Sequence, residues 1–180
     1  CGKAVATADN AMTLKLAVKA IAQKNGLYAT FMPKPIFGEN GSGMHVNQSI
    51  WQNGVNAFAD TNDKHGLSSM AKNYIGGQLA HAKGISAVIA PLVNSYKRLV
   101  PGYEAPVYIS WANINRSALI RVPRISPGRS YATRIELRCP DPTANPYLAF
   151  AALLASGLDG VRRKTSPPKA ADEDLFNISA

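Results

Sequence analysis

The sequence predicts an α+β fold in which an antiparallel sheet packs against helices. The 180 residues are enough for one domain with a continuous core. Hydrophobic residues make up 46% of the chain and charged residues 17%, which is typical of a globular protein and excludes a disordered one. Helical and strand patterns follow one another without a regular strand–helix–strand alternation, and this favours antiparallel over parallel architecture.

Three regions have apolar residues spaced as on a helix. Residues Met12–Lys24 carry a broad apolar face and end at a glycine-containing stop. Residues Leu67–Arg98 predict two helices with a break near Gly84. The pair Asn145-Pro146 is a favourable N-cap and first-turn pair, and it opens a helix that extends to about Lys164. This last helix is apolar nearly all round, so we expect it to be buried.

Five segments have the composition or alternation of strands, and loops rich in Pro and Gly separate them. The strands are predicted at Leu27–Met32, His45–Trp51, Val107–Asn115, Ala118–Val122 and Arg134–Cys139. Asn53-Gly54 follows the second strand and predicts a type I′ hairpin turn. Residues 34–43, 101–106 and 123–128 are predicted to be loops.

The chain is basic, with 20 Lys and Arg against 11 Asp and Glu and a formal net charge of +9. Seven of the nine arginines lie between Arg98 and Arg138. Guanidinium groups bind phosphate and carboxylate oxygens bidentately, so this cluster indicates an anionic ligand, either a nucleotide or a nucleic acid.

Other classes of protein are disfavoured. No apolar run approaches the length of a membrane span, and a polar stretch interrupts the N-terminus too early for a signal peptide. The two cysteines, Cys1 and Cys139, form neither a disulfide framework nor a metal-ligand spacing. We therefore expect a reduced, cytoplasmic protein that does not bind membranes.

A glycine-rich loop, residues 34–43, precedes His45. Its glycines let the backbone approach a ligand closely, although an ordinary structural loop is an equal alternative. The loop lacks the Gly-Lys-Ser/Thr of a Walker A motif, and a strand rather than a helix follows it. On that strand His45, Asn47 and Ser49 share one face. His45 is either a metal or phosphate ligand or a structural histidine.

A second alternation places Arg134, Glu136 and Arg138 on one face of a strand and Ile135 and Leu137 on the other. One interpretation is an exposed ion-pair ladder worth under about 1 kcal/mol. The other is that Glu136 binds a divalent cation while the arginines hold anionic oxygens beside it. Oxygen ligands with one imidazole suit Mg²⁺ or Mn²⁺, and the absence of cysteine ligands argues against zinc.

A lid is predicted between Pro101 and Pro106, because Glu104 lies near the tip of this loop beside the arginine cluster. Arg98 ends the preceding helix, where a cation also simply complements the helix dipole. Arg116 and Arg121 are five positions apart and cannot share one face of an ideal strand.

Together these segments resemble glutamine synthetase of the bacterial and archaeal type I class. Residues 34–49 (KPIFGENGSGMHVNQS) resemble the ATP-binding signature of that family, and residues 94–106 (NSYKRLVPGYEAP) resemble its flap. Residues 115–121 and 134–148 resemble its later catalytic strands. The resemblance implies a curved antiparallel sheet, a partly open barrel flanked by helices, as in glutamine synthetase and guanido kinase catalytic domains. It also implies that residues 1–180 are part of one catalytic domain, without the N-terminal domain, the first catalytic strands or the C-terminal tail.

The resemblance further implies an ATP-dependent ligase that joins ammonia to the γ-carboxylate of L-glutamate through γ-glutamyl phosphate. It implies Mg²⁺ or Mn²⁺ at His45 and Glu136, and ring-shaped assembly of identical subunits. Glutamate would contact Asn40, Gly41, Arg98, Glu104 and Arg138; ATP would contact Asn47, Gln48, Ser49, Arg116, Arg121 and Arg134. Glu104, Arg116 and Arg98 would be the catalytic residues.

Two alternatives remain open at this stage. A γ-glutamyl-amine ligase of the same superfamily would use the same ATP and metal motifs with a larger amine. A basic nucleic-acid-binding domain is disfavoured, because aromatic residues are not interleaved with the arginines in an exposed pattern. No carboxylate precedes Asp9, so upstream metal ligands of the family are absent, and we expect this chain alone to be inactive. Phe176 stands where some members carry an adenylylated Tyr, which predicts that this control is lacking.

Overall fold

A computed structural model describes residues 2–103, 105–113 and 115–171. The helices in this part of the chain are α1 (Ala4–Lys24), α2 (Ser69–Ile89), α3 (Val93–Arg98) and α4 (Pro146–Arg163). The strands are β1 (Val46–Gln48), β2 (Trp51–Gln52), β3 (Val55–Asn56), β4 (Tyr108–Asn113), β5 (Ala118–Val122) and β6 (Ile135–Leu137). None of the described helices has the length and apolar character needed to cross a membrane.

The main sheet has the strand order β1-β6-β5-β4 and is open. Strand β6 lies between β1 and β5 and is antiparallel to both, which confirms the α+β class. Strand β4 departs from the antiparallel expectation, since it runs parallel to β5. The connection between them is short, and the backbone N–H of Ser117 donates to the Asn115 side chain at 2.9 Å. This Asx turn redirects the chain immediately before β5.

The predicted strand His45–Trp51 is divided into β1 and β2, with Ser49 and Ile50 between them. Strands β2 and β3 form the predicted hairpin. Its turn has positive φ at both central residues, 50° at Asn53 and 78° at Gly54, as a type I′ turn requires. The predicted loops at 34–43 and 123–128 are also confirmed.

Helix α2 continues through Gly84, so the predicted break at that residue is wrong. The helix ends at Ile89, just before Pro91, and α3 begins two residues after that proline. One glycine costs a helix only about 1 kcal/mol relative to alanine. A proline removes a backbone donor and restricts the residue before it, which is why the break lies there.

Helices α2 and α4 pack together through small residues. A Cβ on Gly77 would lie 2.3 Å from the Ser156 carbonyl oxygen, and one on Gly160 would lie 2.2 Å from the Asn73 carbonyl oxygen. The expectation that α4 is buried all round is wrong, because Leu148 is 60% exposed while Leu153 is 1% exposed. The small residues of α4 that allow this close approach to α2 lie on only one narrow face of the helix.

The first part of the chain differs most from expectation. Helix α1 begins at Ala4, eight residues before the predicted start at Met12, and of its residues only Ala8 is buried. The predicted strand Leu27–Met32 is not formed; none of the described strands pairs with it, and Tyr28 is 92% exposed. High β propensity does not make a strand without a neighbouring strand to hydrogen-bond with.

The core lies between the sheet and α2. The inward side chains of β5 and β6, Ile120, Ile135 and Leu137, are completely buried. They share one apolar cluster with Tyr74 and Ile75 of α2. Because these side chains fill one face of β6, the residues between them must point to the opposite face, and that face carries the candidate site.

Candidate functional site

Strand pairing brings His45 and Glu136 together. Asn47 is opposite Glu136 in the β1–β6 register, and Arg121 is opposite Glu136 in the β5–β6 register. His45, two residues before Asn47, therefore shares its face. Its Nδ1 lies 3.2 Å from Oε1 of Glu136. The other carboxylate oxygen, Oε2, lies 2.8 Å from Nε of Arg121.

The environment of His45 favours the neutral form of its imidazole. Burial lowers the pKa of His45, and the positive charges of Arg138 and Arg98 lower it further, whereas Glu136 acts in the opposite direction. The net direction is below the ordinary histidine value. A neutral imidazole keeps a lone pair, which is the form that binds a metal.

The donor atoms at this point fit part of a divalent cation site. A carboxylate and a neutral imidazole are both accepted by Mn²⁺, and a carboxylate by Mg²⁺. Within residues 2–103, 105–113 and 115–171, however, no group of three or more His, Cys, Asp or Glu side chains could hold an ion. His45 and Glu136 would thus supply two ligands, and the others would have to come from elsewhere.

Asn47 and Arg134 continue the same face. The Nε of Arg134 donates to Oδ1 of Asn47 at 3.0 Å, which places the guanidinium at the exposed edge of the β1–β6 pair. Ser49 follows, and its hydroxyl accepts from the indole N–H of Trp51 at 3.1 Å. These polar groups extend from the His45–Glu136 pair toward solvent.

Gln48 lies on the opposite face of β1, as its alternation requires. Its Oε1 accepts from the hydroxyl of Tyr74 at 3.0 Å and from Nε2 of Gln78 at 2.8 Å. Both partners belong to α2 in the interior. The structure therefore does not bring the Gln48 side chain to the face that carries His45.

Arg98 is buried, and its guanidinium holds the backbone that follows β6. Nη1 donates to the Cys139 carbonyl at 2.8 Å and Nη2 donates to the Arg138 carbonyl at 2.9 Å. The glycine-rich loop lies directly over this guanidinium. A Cβ on Gly43 would be 2.5 Å from Nη2 of Arg98 and 2.8 Å from Nε2 of His45, so only glycine fits between the two.

The end of the glycine-rich loop returns to the residue that precedes it. The Ser42 N–H donates to the Pro33 carbonyl at 2.8 Å, and a Cβ on Gly41 would lie 2.3 Å from the same oxygen. Asn40, next to it, is exposed. A glycine at 41 therefore allows the turn that presents the Asn40 side chain to solvent.

The remaining arginines and the lid residue occupy different places. Arg138 is buried, and its backbone N–H donates to the Leu119 carbonyl at 3.0 Å. Arg116 is exposed in the connection before β5. It therefore lies outside the strand that carries Arg121, which explains how two arginines can be five positions apart. Among the described residues nothing forms a hydrogen bond or ion pair with the Arg116 side chain. Glu104 and Phe176 lie outside the described residues.

Two contributors to the site were not predicted from the sequence. Asn56 donates to the Tyr131 carbonyl at 2.9 Å and to the Thr133 carbonyl at 2.7 Å, and this fixes the turn that leads into Arg134. Lys34 is buried at the start of the glycine-rich loop. A polar residue two positions after an Asn-Gly hairpin turn was the available signal for Asn56. Lys34 carried no signal beyond its place in the loop motif.

Comparison with known proteins shows which family this chain is similar to. The sequence profile of the family described as "Glutamine synthetase, catalytic domain" matches residues 1–180. A glutamine synthetase from Clostridium saccharobutylicum is 60% identical over 99% of this chain and 40% of that protein. One from Methanococcus voltae is 56% identical over 98% of this chain and 39% of its own length. One from Thermotoga maritima is 55% identical over 97% of this chain and 39% of its own length.

The chain thus spans about 40% of the length of these relatives. Its match to the family is nevertheless continuous from the first residue to the last, and it includes both strands that bring His45 and Glu136 together. The chain belongs to the family of glutamine synthetase catalytic domains.

Proposed function

We propose that the full-length protein is a glutamate–ammonia ligase that uses ATP to convert L-glutamate and ammonia into glutamine. The observation that carries this proposal is the His45–Glu136 pair with Arg121 against its carboxylate, in a chain whose relatives are named glutamine synthetase. We further propose that it works in the cytoplasm as an assembly of identical subunits.

The reaction needs positioning and charge stabilisation more than a protein nucleophile. The γ-carboxylate of glutamate attacks the terminal phosphorus of ATP, ADP leaves, and an acyl phosphate forms. Ammonia then attacks the acyl carbon and phosphate leaves. Phosphoryl transfer is accelerated mainly by groups that hold the reactants in line and stabilise charge. An arginine-rich face fits that requirement.

The ATP phosphates would lie along the face formed by Asn47, Ser49 and Arg134. The hydrogen bond from Arg134 to Asn47 pre-orients that guanidinium toward the exposed edge of the sheet. Arg116, exposed just before β5, and Arg121 would supply further positive charge. Gln48, which is bonded to α2, would act by supporting β1 from behind.

Glutamate would be held between the glycine-rich loop and the buried arginines. Asn40 and Gly41 would provide loop contacts, and Arg138 would be the main cationic partner of a carboxylate. Because both Nη atoms of Arg98 are bonded to backbone carbonyls, Arg98 would act first by fixing the position of Arg138. Glu104 would shield the acyl phosphate and accept a proton from ammonium.

His45 and Glu136 would hold Mg²⁺ or Mn²⁺ together with ligands from outside the described residues. When bound, the ion would neutralise charge on the transferring phosphoryl group. Arg121 would keep the Glu136 carboxylate aimed at the same point, and burial would keep His45 neutral.

The acceptor amine tests this proposal against a ligase for larger amines. The full-length protein is assayed for ADP release with glutamate and ammonia, methylamine, ethanolamine or putrescine in turn. The proposal requires ammonia to be the preferred acceptor by kcat/KM. Preference for a larger amine would overturn it. Separately, glutamine formation by the 180-residue chain alone would refute the expectation that this chain needs further residues for activity.

A further inference from the structure

Lys34 is buried without an acidic partner. Only 8% of the residue is exposed, and no described carboxylate forms an ion pair with it. Its Nζ donates to the Glu39 carbonyl and lies 3.5 Å from the centroid of the Tyr103 ring. A lysine cation over an aromatic face is attractive, and more so where water is excluded. The charge is therefore stabilised by a carbonyl and a ring that belong to different segments.

The backbone of Lys34 is fixed to a third segment. Its N–H donates to Oδ1 of Asn94 at 2.8 Å, and its carbonyl accepts from Nδ2 of Asn94 at 3.0 Å. Asn94 is in α3, the helix that ends at Arg98. Lys34 thus connects α3, the glycine-rich loop at Glu39 and, at Tyr103, the lid segment (residues 99–103).

From these contacts we infer that Lys34 is a positioning residue that holds the lid segment against the glycine-rich loop. The inference rests on the proposed ligase function. Glu39 is adjacent to Asn40, and Tyr103 is adjacent to Glu104, so one ammonium group sets the distance between the two segments that would enclose glutamate. Lys34 itself would not contact a reacting atom.

Loss of this connection would let water reach the acyl phosphate. Water would then attack the acyl carbon, the bond from that carbon to the phosphate oxygen would break, and glutamate and inorganic phosphate would be released. ATP would be consumed without glutamine being formed. Exclusion of water is the function of a closed lid, so the ratio of phosphate released to glutamine formed reports lid closure.

The test measures that ratio at saturating ammonia in the full-length protein and in two lysine variants. Lys34→Met keeps much of the side-chain length and removes the cation; Lys34→Arg keeps a cation that stacks on aromatic rings. We expect a phosphate-to-glutamine ratio of about 1 for the wild-type protein and for Lys34→Arg. For Lys34→Met we expect a ratio of at least about 3. A ratio of about 1 in Lys34→Met, with only kcat or stability reduced, would overturn the inference.

Tyr103 provides an independent version of the test. Tyr103→Phe keeps the ring and should leave the ratio unchanged, whereas Tyr103→Leu should raise it as Lys34→Met does. The double variant Lys34→Met/Tyr103→Leu should have a phosphate-to-glutamine ratio no higher than that of the more affected single variant, because the two substitutions remove the same contact. If Lys34→Met does not fold, the phosphate-to-glutamine ratio of Tyr103→Leu is the test of the inference. A wild-type protein that makes no glutamine would refute the proposed function. A phosphate-to-glutamine ratio of about 1 in every variant would refute only the role of Lys34.

Discussion

His45 and Glu136 are separated by 91 positions in the sequence, yet Nδ1 of one lies 3.2 Å from Oε1 of the other. The contact exists because β1 and β6 are adjacent and antiparallel, with Asn47 opposite Glu136. A shift of one residue in that register would turn Glu136 into the apolar core. The packing of Ile135 and Leu137 in the core therefore fixes the strand register on which the candidate site depends.

Removal of the Arg121 guanidinium should destabilise the protein. Arg121→Ala leaves the largely buried Glu136 carboxylate without its 2.8 Å ion pair, and we expect a loss of about 1–2 kcal/mol in the free energy of unfolding, since the pair is partly exposed to solvent. Urea unfolding measures it. The matched control is Arg129→Ala, in an exposed loop, which should change the free energy of unfolding by less than about 0.5 kcal/mol. Equal effects of the two variants would contradict the argument.

The contact between α2 and α4 predicts opposite effects for two glycines. A Cβ on Gly157 would lie 2.2 Å from the Tyr74 ring, whereas one on Gly84 would meet nothing within 4 Å. Gly157→Ala should lower the free energy of unfolding by about 1–3 kcal/mol through overpacking. Gly84→Ala should raise it by about 0.5–1 kcal/mol, because alanine has the higher helix propensity. Thermal or urea unfolding of both variants checks the signs, and a stabilising Gly157→Ala would show that the helices are not in close contact.

Asp63 predicts a loss of stability in acid. Burial raises the pKa of Asp63, but hydrogen bonds from Lys72 and from the His65 and Leu67 backbone outweigh it, and the net pKa is lower than usual. A lowered carboxyl pKa contributes stability that is complete above the ordinary value and is lost as the pH falls through the folded-state value. Unfolding free energy in wild-type protein should therefore fall below about pH 4 more steeply than in Asp63→Asn.

The control for this pH dependence is Asp60→Asn. Asp60 caps a neighbouring turn by accepting from the Asn62 N–H and has no lysine partner among the described residues. This variant leaves the Asp63–Lys72 ion pair in place, so it should keep the part of the acid-side slope that Asp63 contributes. Loss of the slope in Asp60→Asn but not in Asp63→Asn would contradict the assignment.

Cys139 should be chemically inert in the folded protein. Burial raises the pKa of its thiol to about 12, and the charge of Arg98 offsets only part of that effect. At pH 8 roughly one thiol in ten thousand would then be ionised, and the thiolate is the reactive form. In the full-length protein, thiol alkylation followed by peptide mapping should leave Cys139 unlabelled in the native state and label it fully in denaturant. Rapid labelling under native conditions would show that Cys139 is accessible.

Strand alternation in the sequence was sufficient to predict which polar side chains share one face of the sheet. It placed His45 with Asn47 and Glu136 with Arg134, and the structure has both arrangements. The ion-pair partner of Glu136 was not predictable in this way. Alternation indicated the neighbours Arg134 and Arg138 on the same strand, whereas the contact comes from Arg121 across the β5–β6 register, which depends on pairing between distant segments.

The errors elsewhere also concern interactions between distant segments. The propensity of Leu27–Met32 for strand is high, but no described strand lies beside it, so it does not form one. The apolar character of α4 suggested burial on all sides, but its contact with α2 is made by glycines on one face. Turn chemistry, by contrast, depends on local residues only, and the Asn53-Gly54 turn was predicted correctly.

Mn²⁺ binding by the full-length protein, followed by electron paramagnetic resonance, tests whether His45 and Glu136 form a metal site. If His45 and Glu136 are metal ligands, Glu136→Gln should weaken at least one Mn²⁺ site by about tenfold or more. His45→Asn should remove the ¹⁴N modulation that an imidazole ligand produces. Mn²⁺ affinity and ¹⁴N modulation that are unchanged in both variants would show that neither side chain binds the metal.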